Sequence, residues 1–453
     1  MRKHSFLIYL LLAAILLCSL TGCTEAPAQP SQTAPVTTTT PVTEQVENVD
    51  YAGTLVLDME SNTLKQEVSV KLFIDGDTTH FHVPASVSSS GVLKAHYLSI
   101  NTPESTGKIE EYGKKASAFT KEKLSGATSI IIESEDGNWN ADSTGDRYLV
   151  WVWYKPAGSD TYRNLNVEIL QNGLAIANSA SNTRYGSACT AAITQAKAQK
   201  LNIYSGQPDP DFYYGEAVEL TLRELRTNIE TYNGVKVAFS GVVTVNDNNS
   251  VYIESYDPET DMYYGISAYY GYNLNGQGLD ILNVGNEVRI VGSVQYYEAG
   301  GTWQVSDLNY RMMKPDDPGN IQKLSEGNAP AYVLTAPGKL SGDTVEILVN
   351  EEMVTEEYAK LAMNTSIEMK DLYVYDAYTT RNEASASLGA MTLYCQAGGE
   401  RIAVRTIVLY DENGQLVTQD RFLGKTIDVK GLVDYFDGDY QIKVFNINDI
   451  TIH

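Results

Sequence analysis

SVKLFIDGDTTHFH, residues 69–82, alternates apolar and polar side chains on either side of Asp75-Gly76-Asp77. Alternation of period two around a short acidic tract centred on glycine predicts a β-hairpin with a tight turn. Outward from this hairpin, residues 92–100 read as a third strand. The turn after it, Asn101-Thr102-Pro103-Glu104, has a proline fixing the backbone just before a carboxylate. In EEYGKKASAFTKEKL, residues 110–124, Tyr112, Ala116, Phe119 and Leu124 fall at spacings that suit one helical face. TSIIIES (128–134) and RYLVWVWY (147–154) read as a further strand pair. NVEILQNGLA (166–175) and ACTAAITQAKAQKLNIYS (188–205) read as two more helices.

Six pieces of this unit carry a resemblance: IDGD at 74–77, INTPE at 100–104, EYGKKASAFTK at 111–121, GDRYLVWV at 145–152, NVEILQNGLA at 166–175 and AQKLNIYSG at 198–206. In this order and at these spacings they resemble the thermonuclease, or staphylococcal-nuclease-like, family. The resemblance implies a five-stranded OB barrel with three helices that hydrolyses phosphodiester bonds in DNA and RNA with calcium. Such chemistry needs a hard cation at the phosphate, a base to position water, and fixed positive donors where charge builds. Calcium takes its ligands from carboxylate, amide and carbonyl oxygens. By the resemblance, Asp77, Asn101 and the Thr102 carbonyl match the metal ligands, Glu104 the base, and Arg147 one of two arginines that grip the phosphate. His96 stands where relatives place the other arginine, and Asn101 where they place an aspartate. An amide oxygen removes one negative charge from the ion site, and an imidazole offers a single donor direction in place of a planar fork. The family's nucleotide-capping tyrosines are replaced by Asn178-Ser179-Ala180-Ser181 and Ser143-Thr144, which leaves Tyr185 or Tyr112 as substitutes. His80 and His82 share a strand face, a setting that suits a strand residue better than a zinc ligand.

The C-terminal half reads as two further barrels. A short helix in TLRELRTNIETYNG (221–234) precedes strands VKVAFSGVVTVND, SVYIESYD, MYYGISAYY, NEVRIVGSVQYYEAG and TWQVSDLNY, each ended by Asn, Gly or Asp. Residues 314–342 read as a linker and residues 343–453 as the last unit. VGNEVRIVGSVQYYEAGGTWQV (284–305) aligns with LGKTIDVKGLVDYFDGDYQI (423–442), so that Gly285 meets Gly424, Gly292 meets Gly431, and Tyr296-Tyr297 meets Tyr435-Phe436. A mid-strand glycine followed by a closing hairpin resembles the later strands of OB barrels. The expected fold class is therefore multi-domain and mainly β: an OB-fold nuclease barrel with three helices (50–206), then two OB-like β-barrels (215–313 and 343–453).

The chain opens with Arg2-Lys3 before an apolar run too short to span a bilayer, and then Leu20-Thr21-Gly22-Cys23. Residues 1–23 thus resemble a bacterial lipoprotein signal. Cys23 is the expected lipid attachment point, and the body is expected to be extracytoplasmic and held on the cell membrane. Residues 24–49, rich in Pro, Thr, Ala and Gln, cannot bury enough surface to order and read as a tether. Residues 69–206 hold 13 Lys and Arg against 13 Asp and Glu, whereas residues 207–453 hold 17 against 37, a balance of 17 − 37 = −20. Such a field disfavours non-specific DNA binding by the C-terminal half. Its Tyr-rich runs alternate with Asp and Glu and suit a glycan or protein ligand, if they serve a ligand at all. The sequence leans towards an enzyme, a calcium-dependent nuclease for single-stranded DNA or RNA weakened by His96 and Asn101. The alternative is a catalytically inactive surface lipoprotein.

Overall fold

Alternation becomes burial at the hairpin end of the N-terminal unit, where Phe81 and Leu93 are buried between more exposed strand neighbours, whereas residues 130–133 and 150–154 are continuously buried, Ile132, Trp151 and Trp153 among them. The structure, a computed structural model, describes residues 48–453 apart from Asn273, Asn275, Ala299, Glu351, Glu383, Ala384 and Ala386. Cys23, the expected signal segment and most of the tether lie outside the described residues. No helix of the described residues is long and apolar enough to cross a membrane.

The first barrel comprises β1 (Lys65–Phe73), β2 (Thr78–His82), β3 (Val92–Tyr97), β4 (Ala127–Glu133) and β5 (Tyr148–Pro156). Antiparallel pairs join β1 to β2, β2 to β3, β1 to β4 and β4 to β5. A parallel pair, β3 to β5, closes the cylinder. Helices α1 (Gly113–Ser125), α2 (Leu165–Gln171) and α3 (Gly186–Ala198) cover it. Strand three is shorter than its apolar run predicts because Ser99 turns left-handed at φ 68. For α2 the stop is Gly173 at φ 64, and α3 ends before Lys200, itself left-handed at φ 53.

The same topology recurs twice. In the second barrel, β6 (Lys236–Asn246), β7 (Ser250–Asp257), β8 (Met262–Tyr269), β9 (Glu287–Tyr297) and β10 (Thr302–Ser306) pair antiparallel except β8 with β10. In the third, β11 (Ser366–Thr379), β12 (Met391–Ala397), β13 (Glu400–Thr406), β14 (Thr426–Phe436) and β15 (Asp439–Val444) do likewise, with β13 parallel to β15. The molecule is thus mainly β, three five-stranded barrels whose third and fifth strands form the one parallel pair in each closure. The helix α4 (Leu222–Thr227) opens the second barrel on a capping box between Thr221 and Glu224. Residues 314–342 are themselves built into the barrels: Gln322–Ser325 adds to β9, and Val333–Leu334 pairs with β11.

The sequence repeat acquires a physical cause. A Cβ at Gly292 would run into the Ser306 carbonyl of the neighbouring strand, and one at Gly431 into that of Lys443. In both barrels the hairpin partner crosses too closely for a side chain. The aligned aromatics also pair across their hairpins, Tyr296 with Trp303 and Tyr435 with Tyr440, each at 5.1 Å between ring centroids. The first barrel has its own apolar core, but the second and third share a continuous one. Glu254 of β7 reinforces that join, accepting from the Ser366 amide at 2.6 Å and its hydroxyl at 2.8 Å.

Candidate active site

The β1–β2 turn, the residue 101–104 corner and the start of α1 pack into one knot. Gly76 lets the turn lie against Ala116 and Thr102, either of which a Cβ would touch at 2.8 Å. Thr120 of α1 donates to the Gly76 carbonyl at 2.6 Å. Asp77, buried, accepts the Thr102 amide on Oδ2 at 2.8 Å and the Thr78 hydroxyl on Oδ1 at 3.1 Å. Gly113 opens α1 hard against the Glu104 carbonyl, where no Cβ fits. The helix therefore fixes the backbone of the glutamate that follows Pro103.

Electrostatics mark the same place. Asp75 is buried, and desolvation followed by the charges of Asp77 and Glu104 pushes its carboxyl well above the ordinary range. Desolvation likewise raises Glu104, helped by Asp77 and Glu110 and opposed by Arg147. Asp75 is thus within electrostatic reach of Asp77 and Glu104, and Glu104 of Asp77 and Arg147. Asn101 is exposed, its backbone paired with Ile176 in a two-residue ladder beside this corner. Among the described residues no group of three or more His, Cys, Asp or Glu side chains is arranged to hold a metal. The residues that the resemblance assigns to the ion, Asp77, Asn101 and Thr102, offer carboxylate, amide and carbonyl oxygens, a hard donor type that suits calcium better than a softer metal, with less charge than three carboxylates would give.

His96 and Arg147 meet at a residue that the sequence did not single out. Asp142 accepts the Arg147 Nε–H on Oδ2 at 2.7 Å, and His96 Nδ1 lies 3.3 Å from the same oxygen. Burial alone would raise Asp142, but hydrogen bonds from Thr144 and Arg147 outweigh it and hold the carboxyl at about 2. Both groups at the phosphate-gripping positions are therefore engaged by an internal anion. The ADSTGD tract reads as a turn, with nothing in it to set Asp142 apart from a solvent-facing turn aspartate.

The substitutes for the capping tyrosines are structural. The Tyr185 ring packs edge-on against Trp151 and Trp153 at 5.0 and 5.3 Å, and its hydroxyl donates to Glu133 at 3.0 Å. Tyr112 is buried and donates to the Gln207 carbonyl at 3.0 Å. His80 faces Lys94 across the β2–β3 pair, and desolvation, with the charges of Lys94 and Lys71, lowers its pKa.

A second contribution that the sequence did not reveal comes from the second barrel. Gln295, buried on β9, accepts the Gly107 amide at 3.3 Å and donates to the Ser105 carbonyl at 3.2 Å. Ser306 orients it from behind at 2.6 Å. The loop immediately after Glu104 is thereby fastened from another domain.

No curated protein matches the chain. Residues 94–206 match the family model described as staphylococcal nuclease homologue. This match and the barrel that encloses it establish that the first folded unit of the chain is a staphylococcal-nuclease-like domain.

Proposed function

We propose that the first barrel hydrolyses phosphodiester bonds in single-stranded DNA or RNA with calcium, at the corner formed by Asp77, Asn101, Thr102 and Glu104. The observation that carries this reading is the bond from the Thr102 amide to the buried Asp77 carboxylate, which ties the turn to the corner two residues before Glu104. Asp77, the Asn101 amide oxygen and the Thr102 carbonyl would hold the ion, which when bound screens the phosphate and acidifies water. Glu104, whose carboxyl holds protons more tightly than usual, takes the proton from the attacking water. Arg147 stabilises the phosphoryl oxygens once it leaves Asp142, with His96 as a weaker second donor. Lipidated Cys23 would hold this body on the outer face of the membrane.

The test is hydrolysis of single-stranded DNA by the full chain in millimolar calcium, between about pH 5.5 and 9. Cleavage should exceed a Glu104→Gln control by at least about 100-fold; no excess refutes the assignment. The capture of Arg147 and His96 by Asp142 favours a second reading, a catalytically inactive surface lipoprotein, and the same assay decides between them.

A further inference from the structure

Between the second and third barrels opens a cleft of about 900 Å³. Trp303, Tyr375, Tyr394, Tyr435 and Tyr440 border it. Its cations are Arg226, Lys360 and Arg401, and its carboxylates are Glu230, Asp343, Glu357 and Asp439. Some of these charges already have partners. Lys360 pairs with Glu356 at 2.9 Å, and Glu357 accepts the Tyr440 hydroxyl at 3.3 Å.

Arg226 is different. It is only 7% exposed, and its Nε and Nη2 donate to the carbonyls of Gly265 and Met363 at 3.1 and 3.0 Å. Nη2 also reaches the Asn364 amide oxygen at 3.3 Å. Nη1 makes no hydrogen bond to the described residues, and none of them forms an ion pair with this guanidinium. Removing a cation from water without a counter-charge is costly unless an anion answers it. Arg401, on the cleft wall, stacks 5.4 Å above the Tyr375 ring and likewise has no carboxylate partner among the described residues.

The cleft continues. A second groove of about 830 Å³ shares Tyr394, Ala403 and Asp439 with it and brings in Arg405. Arg405 is held by the hydroxyls of Thr392 and Thr380 at 3.1 and 3.3 Å. Arg401, Ala403 and Arg405 thus project from one face of β13, the third strand of its barrel, with small Ala403 leaving a floor between two guanidiniums. Second and third strands are where OB barrels present extended ligands.

Aromatic platforms, mixed hydrogen-bonding groups and guanidiniums lacking counter-ions narrow the choice of ligand. A polynucleotide brings a phosphate with every residue into a half of the molecule with a balance of −20, past four carboxylates on the cleft wall. A neutral sugar leaves Arg226 unanswered. We propose that this cleft binds an oligosaccharide bearing a single carboxylate, with its ring faces on the aromatic side chains and that carboxylate at Arg226 and Arg401. The site is independent of the nuclease corner.

The test is calorimetric titration of the full chain with 3′-sialyllactose, with lactose as the uncharged control. Binding of 3′-sialyllactose is expected, with Kd between about 10 μM and 1 mM. Arg401→Gln and Trp303→Ala should each weaken it about tenfold, and Glu104→Gln should leave it unchanged. Arg401 is exposed, so its variant keeps the fold and the result stays interpretable. Three outcomes overturn the proposal: no binding of 3′-sialyllactose at about 10 mM, equal binding of lactose, or tighter, steeply salt-dependent binding of a single-stranded oligothymidylate.

Discussion

Asp142→Asn should destabilise the first barrel while improving its grip on nucleic acid. The carboxyl sits at about 2 in the folded chain against an ordinary 3.8, because Thr144 and Arg147 donate to it. At 1.36 kcal/mol per pKa unit this corresponds to about 2 kcal/mol of stability. The folded value is depressed, so the contribution is complete above the unfolded value and disappears as pH falls through the folded one. About 2 kcal/mol should therefore separate wild type from variant at pH 7, about half of that at pH 3, and almost nothing near pH 1. Urea unfolding followed by tryptophan fluorescence reads this transition, since Trp139, Trp151 and Trp153 lie in the first unit and only Trp303 elsewhere. Freed from the carboxylate, Arg147 and His96 should bind a single-stranded oligonucleotide about three- to tenfold more tightly. A stability difference that is the same at pH 3 and pH 7, or weaker oligonucleotide binding, would refute the account of Asp142 as a competing internal anion.

Other substitutions probe separate links. Gln295→Ala removes both bonds to the loop after Glu104; DNA hydrolysis should fall about tenfold, and hydrogen exchange at residues 105–107 should accelerate, whereas unchanged exchange means that the loop holds itself. Gly113→Ala drives a Cβ into the Glu104 carbonyl and should cost more than about 2 kcal/mol; a variant as stable as wild type in urea shows that the helix start can shift freely. Glu254 is raised by desolvation, against hydrogen bonds from Ala331 and Ser366. Its contribution is therefore greatest below its unfolded value and is lost as pH rises through the folded one. Glu254→Gln should gain stability relative to wild type between pH 4 and pH 8, and urea midpoints separated equally at both pH values would contradict this.

What the sequence revealed follows the range of the interactions involved. The β1–β2 hairpin was legible because alternation records local burial, and the strands 128–134 and 147–154 because short runs of β-branched and aromatic residues mark strands buried on both faces. Gly292 and Gly431 were legible as a repeat, although the cause, a crossing strand's carbonyl, appears only in three dimensions. Asp142 was hidden because a turn aspartate looks alike whether it faces water or an arginine. Tyr185 misled for a related reason: its distance from Trp151 and Trp153 in sequence says nothing of the edge-on packing that commits it to the core. The shared core of the last two barrels was hidden as well, since each reads as a complete unit with its own alternation and turns.

The charge asymmetry and the interdomain contacts together show how the acidic half bears on the Glu104 corner. An electrostatic influence would have to act through solvent, where screening limits it to about 8 Å at physiological ionic strength. Mechanical contacts reach further. Gln295 holds residues 105 and 107, Lys114 donates to the Asn233 carbonyl at 3.0 Å, and Lys121 pairs with Glu298 at 2.9 Å. Asp209, just beyond the first barrel, accepts the Tyr112 amide at 2.6 Å, directly before α1 begins. Each contact bears on the loop after Glu104 or on the helix that anchors it. The second barrel therefore acts on this corner as a brace.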